Sequence, residues 1–224
     1  MIIKKLFFLI IKKTKLPLKS KIFLWNENSG DYWNKRYYSG GNSGSGSYGE
    51  LASYKAEFIN KFIETNHIQS VVEFGCGDGN QLNLINCKKY RGYDISETII
   101  QKCKKKFAND FTKEFFILSD YKPKKFDLAI SLDVIFHLVE EENFENHMKL
   151  LFESSNKFVL IYSSNFEKLN LFLKPHIRHR RFTDWMNENV PDWKLFLYTP
   201  NKFKKSARHN SFSDFYIFEK VNGK

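Results

Sequence analysis

The run Val71-Val72-Glu73-Phe74-Gly75-Cys76-Gly77-Asp78-Gly79 passes from apolar residues into three glycines at alternate positions, and Asp94 stands fifteen positions beyond the last of them. A short apolar run bounded by glycine reads as a buried strand. Glycines in the turn let the backbone approach a ligand where any Cβ would collide, and a helix starting there turns unpaired N–H groups toward it. Asp94 closes a second run, Tyr90-Arg91-Gly92-Tyr93-Asp94. A carboxylate at that place can accept both hydroxyl hydrogens of a ribose. The spacing predicts two neighbouring parallel strands joined by one helix, with a nucleotide-like cofactor at their carboxyl ends.

The pattern continues in both directions. A helix is expected over 50–64, where Leu51, Tyr54, Phe58, Ile59, Phe62 and Ile63 recur on one face. Strands are expected over 70–74, 89–94, 114–118, 125–131 and 157–162. Helices are expected over 80–86, over 96–108 with Ser96 as its cap, and over 140–153. This alternation implies an α/β fold, Rossmann-like, with helices on both faces of an open and mostly parallel sheet. Residues 192–198 and 211–219 alternate as strands joined by a basic loop, a C-terminal antiparallel hairpin. No internal repeat is present.

A dinucleotide fingerprint reads G-x-G-x-x-G, whereas this turn reads Glu-x-Gly-x-Gly-x-Gly. In that form, Glu73 to Gly79 resembles the first motif of class I S-adenosylmethionine-dependent methyltransferases, and Asp94 resembles their second-strand ribose ligand. Leu118-Ser119-Asp120 and Phe126-Asp127-Leu128-Ala129-Ile130-Ser131 match the same family after the third strand and as the fourth. The resemblance covers residues 50 to 165 well and the flanks less well. It implies a seven-stranded sheet and S-adenosylmethionine as cofactor. The implied cofactor residues are Tyr48, Glu73, Gly75, Cys76, Gly77, Gly79, Asp94, Ile95, Asp120, Tyr121, Leu132 and Asp133. For Tyr32, Tyr37 and Tyr48, just before the first helix of the domain, it implies capping of the cofactor and contact with the acceptor.

Two domain-level units follow: residues 1–49, a basic and apolar segment leading into an aromatic Gly/Ser stretch, and residues 50–224, the methyltransferase domain with a basic insert at 163–191. The Gly/Ser stretch reads as a linker or as a flap over a ligand. Four tyrosines and a tryptophan in 31–49 favour the flap. The opening residues 1–13 are too short to span a bilayer, which takes about 20 apolar residues. They read as a helix packed on the domain or as a basic amphipathic helix, with peripheral membrane contact through residues 1–15.

With 36 Lys and Arg against 25 Asp and Glu, the formal charge of +11 attracts anions. Biased Lys, Asn, Ile and Phe usage also produces such an excess with no functional demand. Cys76, Cys87 and Cys103 lack zinc or disulfide spacing, which suggests a reducing, cytoplasmic setting. No His, Cys and carboxylate array at ligand spacing points to a metal.

Methyl transfer from a sulfonium is a displacement at carbon, so the protein mainly holds donor and acceptor about 3 Å apart and excludes water. A neutral alcohol needs a general base, whereas an anionic acceptor does not. His137, six residues past the fourth strand, is the candidate base, or else a histidine packed between Phe136 and Leu138. Asp133 orients His137 or the cofactor, or caps the turn. His176, Arg178, His179, Arg180 and Arg181 form the second constellation, an anion site or a solvated charge run. Substrate contact is expected from Tyr32, Tyr37, His137, His176, Arg178, His179 and Arg181. Family enzymes sharing the Tyr-Trp opening, the Gly/Ser stretch and the Lys-x-His-x-Arg-His-Arg insert are associated with capsular and surface polysaccharide synthesis, including O-methylation of a phosphoramidate. The resemblance therefore implies a small anionic or sugar-linked acceptor. Nucleic-acid methylation is the rival, disfavoured by Ser131-Leu132-Asp133-Val134 where amino-methylating enzymes carry Asn/Asp-Pro-Pro-Tyr/Phe. A non-catalytic membrane-surface or nucleic-acid binding module is the third reading, and the intact glycines, Glu73 and Asp94 speak against it.

Overall fold

A computed structural model describes residues 28–167, 176–204 and 211–221. The expectations for residues 1–15 and for residues 168–175 of the basic insert lie outside them. The chain order is α1 (Ser29–Tyr38), α2 (Gly49–Thr65), β1 (Val71–Phe74), β2 (Tyr90–Asp94), α3 (Glu97–Lys106), β3 (Lys113–Ile117), β4 (Phe126–Leu132), α4 (Glu141–Glu153), β5 (Ser155–Ser163), α5 (Phe182–Asn189), β6 (Trp193–Thr199) and β7 (Asp214–Lys220). One seven-stranded sheet runs β3-β2-β1-β4-β5-β7-β6. β3, β2, β1, β4 and β5 pair in parallel, and β7 returns antiparallel between β5 and β6. This is the Rossmann-like methyltransferase arrangement.

Period-two alternation along the buried strands divides the core into two layers. Val71, Leu128, Ile130, Leu160 and Ile217 face Ile59, Phe62 and Ile63 of α2 and Ile100 and Cys103 of α3. Val72, Ala129, Val159, Ile161 and Phe218 face Phe144, Met148 and Leu151 of α4 and Phe182 and Met186 of α5. Strand order reverses between β1 and β4, so a crevice opens above their carboxyl ends, where an open α/β sheet places its ligand.

Two local expectations change. The link from the glycine turn to β2 is a single 3-10 turn, Gln81–Leu84, and not a helix. The 3-10 turn ends at Ile85, which is extended and buried in the core, so the chain turns back toward β2 after one turn. Ser96 stands at the start of α3, but its side chain makes no capping bond; Asp94 Oδ1 takes the Ser96 N–H instead at 3.0 Å. Two helices were not anticipated. α5 lies within the insert. α1 forms in the stretch that reads as a linker or a flap: Asn28 accepts the Asp31 N–H, Asp31 lies in the first turn and Lys35 and Arg36 in the last, so both ends are matched to the helix dipole. Gly40, at φ +83, ends it, with the Gly41 N–H returning to the Arg36 carbonyl at 2.9 Å.

β6 is an edge strand, and Leu195, Phe196, Leu197 and Tyr198 on it are exposed. Among the described residues no helix is long and apolar enough to cross a membrane.

Candidate active site

Gly75, Gly77 and Gly79 all take positive φ, +84, +54 and +65. That conformation strongly favours glycine. Each glycine is also closed in by the protein itself: a Cβ would fall 2.5 Å from Val134 at Gly75, 2.2 Å from Ser43 Oγ at Gly77 and 2.7 Å from the Phe107 ring at Gly79. Asp94 is buried, and its carboxylate accepts the Gly77 N–H at 3.0 Å as well as that of Ser96. Burial pushes its pKa up to about 6, against the Ser96, Gly77 and Ile95 N–H groups that favour the charged form. Glu73 is pushed up to about 7 by burial, with the Tyr90 hydroxyl donating to it at 2.5 Å. Its carboxylate is thus engaged within the core.

A chamber of about 1380 Å³ runs from Asp94, Ile95, Gly77 and Leu118 to Asp133, His137, Phe136 and His176. α1 and the Gly/Ser turn wall one side. The turn is stapled to the glycine loop by reciprocal bonds: Ser43 N donates to Asp78 Oδ2 and Asp78 N to Ser43 Oγ, both at 2.9 Å. Tyr37 is buried with its hydroxyl 3.3 Å from Ser43 Oγ.

Opposite the cofactor end, four rings make a continuous wall. Tyr32 stacks on His176 at 4.1 Å, His176 on His137 at 5.5 Å, and Trp33 meets His137 and Tyr32 edge-on. His137 Nδ1 lies 3.0 Å from the His176 carbonyl. A carbonyl only accepts, so Nδ1 carries the proton and Nε2 the lone pair. Burial lowers the His137 pKa to about 4, against the His176 carbonyl bond and the Asp133 charge, with the His176 ring and Arg36 acting in the same direction as burial.

Asp133, at φ +59, does not orient His137. Its carboxylate is held by the buried Lys55 ammonium at 2.8 Å and the Ser213 hydroxyl at 2.7 Å. A buried lysine requires such a counter-charge. Lys55 therefore fixes the end of β4 from α2.

Several expected residues sit elsewhere. Tyr48 and Gly79 are not in the chamber wall; the Tyr48 hydroxyl donates to Asp78 Oδ2 at 2.7 Å. Asp120 is exposed, and Tyr121 turns inward to Ser154 and the Phe74 and Tyr93 rings, leaving Leu118 to line the chamber. The insert's arginines do not form an open anion site. Arg178 donates to the Val139 carbonyl and pairs with Glu141 at 2.8 Å. Arg180, buried over the Phe144 ring, donates to the Leu138 and Val139 carbonyls. These bonds cap the chain between His137 and α4. Arg181 is exposed beside Asp184, 3.8 Å away. His179 is buried, with Nδ1 2.7 Å from Ser164 Oγ and its ring stacked on Phe166.

Residues 72–155 match the family model of a methyltransferase domain. The fold is that of the class I methyltransferases. Residues 72–155 thus carry a methyltransferase domain, and S-adenosylmethionine is the cofactor of that domain family. Among solved structures, magnesium protoporphyrin IX methyltransferase from Synechocystis PCC 6803, with bound S-adenosylmethionine, superposes with a TM-score of 0.58 at 14% identity, covering 93% of this chain and 100% of that one. N-methyltransferase NodS from Bradyrhizobium japonicum gives 0.59 at 10% identity, over 76% and 94%. The small RNA methyltransferase HEN1 gives 0.60 at 18% identity, over 80% of this chain and 26% of that one. No curated protein matches.

The residues fit the cofactor. Asp94 offers a desolvated carboxylate to hydroxyl donors. Gln81, two residues past the glycine turn, donates to the Ala52 carbonyl at 3.0 Å, while its buried Oε1 beside the chamber has no partner among the described residues. An orphaned acceptor there suits a ligand rich in N–H and O–H groups. Sequence reading missed Gln81, Lys55, Leu118, Trp33 and Arg36. The 32, 33, 36, 37 spacing of Tyr, Trp, Arg and Tyr is the face of a helix and was the available signal. Among the described residues no three His, Cys, Asp or Glu side chains converge on a possible metal position.

Proposed function

We propose that this methyltransferase O-methylates a small anionic or sugar-linked acceptor, a phosphoramidate being the type, within capsular or surface polysaccharide synthesis. The observation that carries this reading is the single chamber joining Asp94 and the glycine turn to the His137, His176 and Tyr32 wall. S-adenosylmethionine supplies a methyl group on a sulfonium sulfur. Asp94 accepts from its ribose, Ile95, Leu118 and Leu132 border its base, and Gln81 Oε1 accepts from one of its N–H groups. α1 and residues 39–49 act as the lid that excludes water from the reacting centre.

The state of His137 supports an acceptor that arrives already anionic. A base effective at neutral pH has a pKa near 7, and His137 is held near 4. An alcohol would keep its proton beside such a ring, whereas a phosphoramidate oxygen needs none removed. The sequence likeness to capsular enzymes supports the sugar-linked setting.

Release of S-adenosylhomocysteine from the purified enzyme tests this, with phosphoramidate, methyl phosphate, nucleotide sugars, primary amines and RNA oligonucleotides as acceptors. Turnover with phosphorylated or phosphoramidate acceptors is the expected result. Turnover confined to amines or RNA would replace it.

A further inference from the structure

Arg36 is a cation that faces the chamber with no carboxylate partner among the described residues. The insert arginines differ: Arg178, Arg180 and Arg181 each have a carboxylate beside them. Arg36 is held in place from behind. Its Nε donates to the Asn42 carbonyl at 2.7 Å, its Nη2 lies 3.4 Å from Asn42 Oδ1, and its guanidinium carbon sits 5.7 Å over the Trp33 ring. The Gly40–Gly41 turn is shaped around it, since a Cβ on Gly41 would fall 2.7 Å from the Arg36 carbonyl oxygen and 2.8 Å from its Cγ. Nη1 has no acceptor among the described residues.

Charge is also graded along α1. At its start, the Ser29 N–H and hydroxyl donate to Glu140 at 2.9 and 2.5 Å. Arg36 lies seven residues further on, about 10 Å along the axis. The α1 wall of the chamber is thus acidic at Glu140 and cationic at Arg36.

We propose that Arg36 is an oxyanion dock of this active site, binding a carboxylate or phosphoryl oxygen of a bound ligand through the guanidinium edge left open by Asn42. A planar fork with its stem immobilised matches such oxygens at small entropic cost. Two ligands of the reaction could bring the oxyanion: the amino-acid end of the cofactor, or the acceptor. The inference rests on the reading of the chamber as the methyl-transfer site.

Calorimetry on the full chain separates the cases with three probes: S-adenosylhomocysteine, 5′-methylthioadenosine, which lacks the amino-acid end, and phosphoramidate added to enzyme loaded with S-adenosylhomocysteine. Wild-type binding of S-adenosylhomocysteine upholds the chamber reading, and its absence removes that reading and this inference together. If the cofactor's carboxylate docks, Arg36→Gln weakens S-adenosylhomocysteine about tenfold or more and leaves methylthioadenosine unchanged. If the acceptor docks, both nucleosides bind as before and phosphoramidate binding drops by about the same factor. Arg36→Lys recovers part of either loss, and an unchanged melting temperature shows that Arg36→Gln is folded. Wild-type affinity of Arg36→Gln for S-adenosylhomocysteine, with phosphoramidate binding equal or absent in both proteins, overturns the proposal. Should Arg36→Gln melt early, Arg36→Lys alone carries the comparison, and unaltered affinities for every probe count the same way.

Discussion

The two halves of the chamber are built differently. The cofactor half comes from one stretch of chain, Glu73 to Asp94 plus Leu118 and Leu132, set on the ends of adjacent parallel strands. The acceptor half is assembled from α1, the turn after β4 and residue 176 of the insert, segments up to about 140 residues apart and tied by ring stacking and arginine–carbonyl bonds. Strand pairing fixes backbone positions through many short-range bonds, so the first half is set by the sheet. The second depends on a few side chains, each replaceable without loss of the sheet. Under the proposed function, the first half specifies the donor and the second the acceptor.

Substitutions that separate the halves sharpen this contrast. Gly77→Val should have the largest effect. It forces a branched side chain into φ +54 against Ser43, a strain of about 1–3 kcal/mol before any clash. Binding of S-adenosylhomocysteine should fall by at least about 100-fold by calorimetry, and near-normal affinity would show that the cofactor half tolerates remodelling. Arg180→Ala should act on the other half. It orphans the Leu138 carbonyl and leaves Val139 with Arg178 as its donor, costs about 2 kcal/mol in denaturant unfolding, and spares S-adenosylhomocysteine affinity. Loss of cofactor binding in that variant would mean the halves are one cooperative unit.

The third test uses pH. With Asp94 raised to about 6, the carboxylate proposed to accept ribose hydroxyls is lost as pH falls through 6, and affinity for S-adenosylhomocysteine should drop up to about tenfold per unit below it. The sign for stability is opposite. A carboxyl whose pKa is raised by folding stabilises the unliganded protein most at low pH and loses that contribution as pH rises through its folded value. Asp94→Asn should abolish the affinity inflection. His137→Ala should be mildest, changing turnover on an anionic acceptor by less than about tenfold, with no inflection in the pH–rate profile above 5.5 that disappears with the ring. A larger loss, with such an inflection, would make His137 a proton acceptor after all.

Legibility in the sequence follows the same division. The strand order and Asp94 could be read because buried parallel strands leave an apolar signature and the glycine turn has fixed spacing. The acceptor side could not. Nothing local distinguishes Arg180, committed to two carbonyls, from Arg36, facing the chamber, since the difference lies in partners supplied by residues 138, 139 and 141 in one case and by Asn42 in the other. The resemblance implies Tyr121 as a cofactor residue, but its ring packs against Phe74 and Tyr93 instead of the open crevice. Lys55 was hidden within an apolar helical face, where its ammonium is tolerated only because Asp133 waits at the end of β4.

The crowding around Gly75, Gly77 and Gly79 has an evolutionary corollary. Val134, Ser43 and Phe107 would reject a side chain there whether or not any nucleoside ever visited. A descendant that had abandoned chemistry would keep the whole signature, because selection for folding alone preserves it. Vigilance for retired enzymes of this lineage belongs at Gln81, whose buried Oε1 burdens the fold and is redeemed only by a guest.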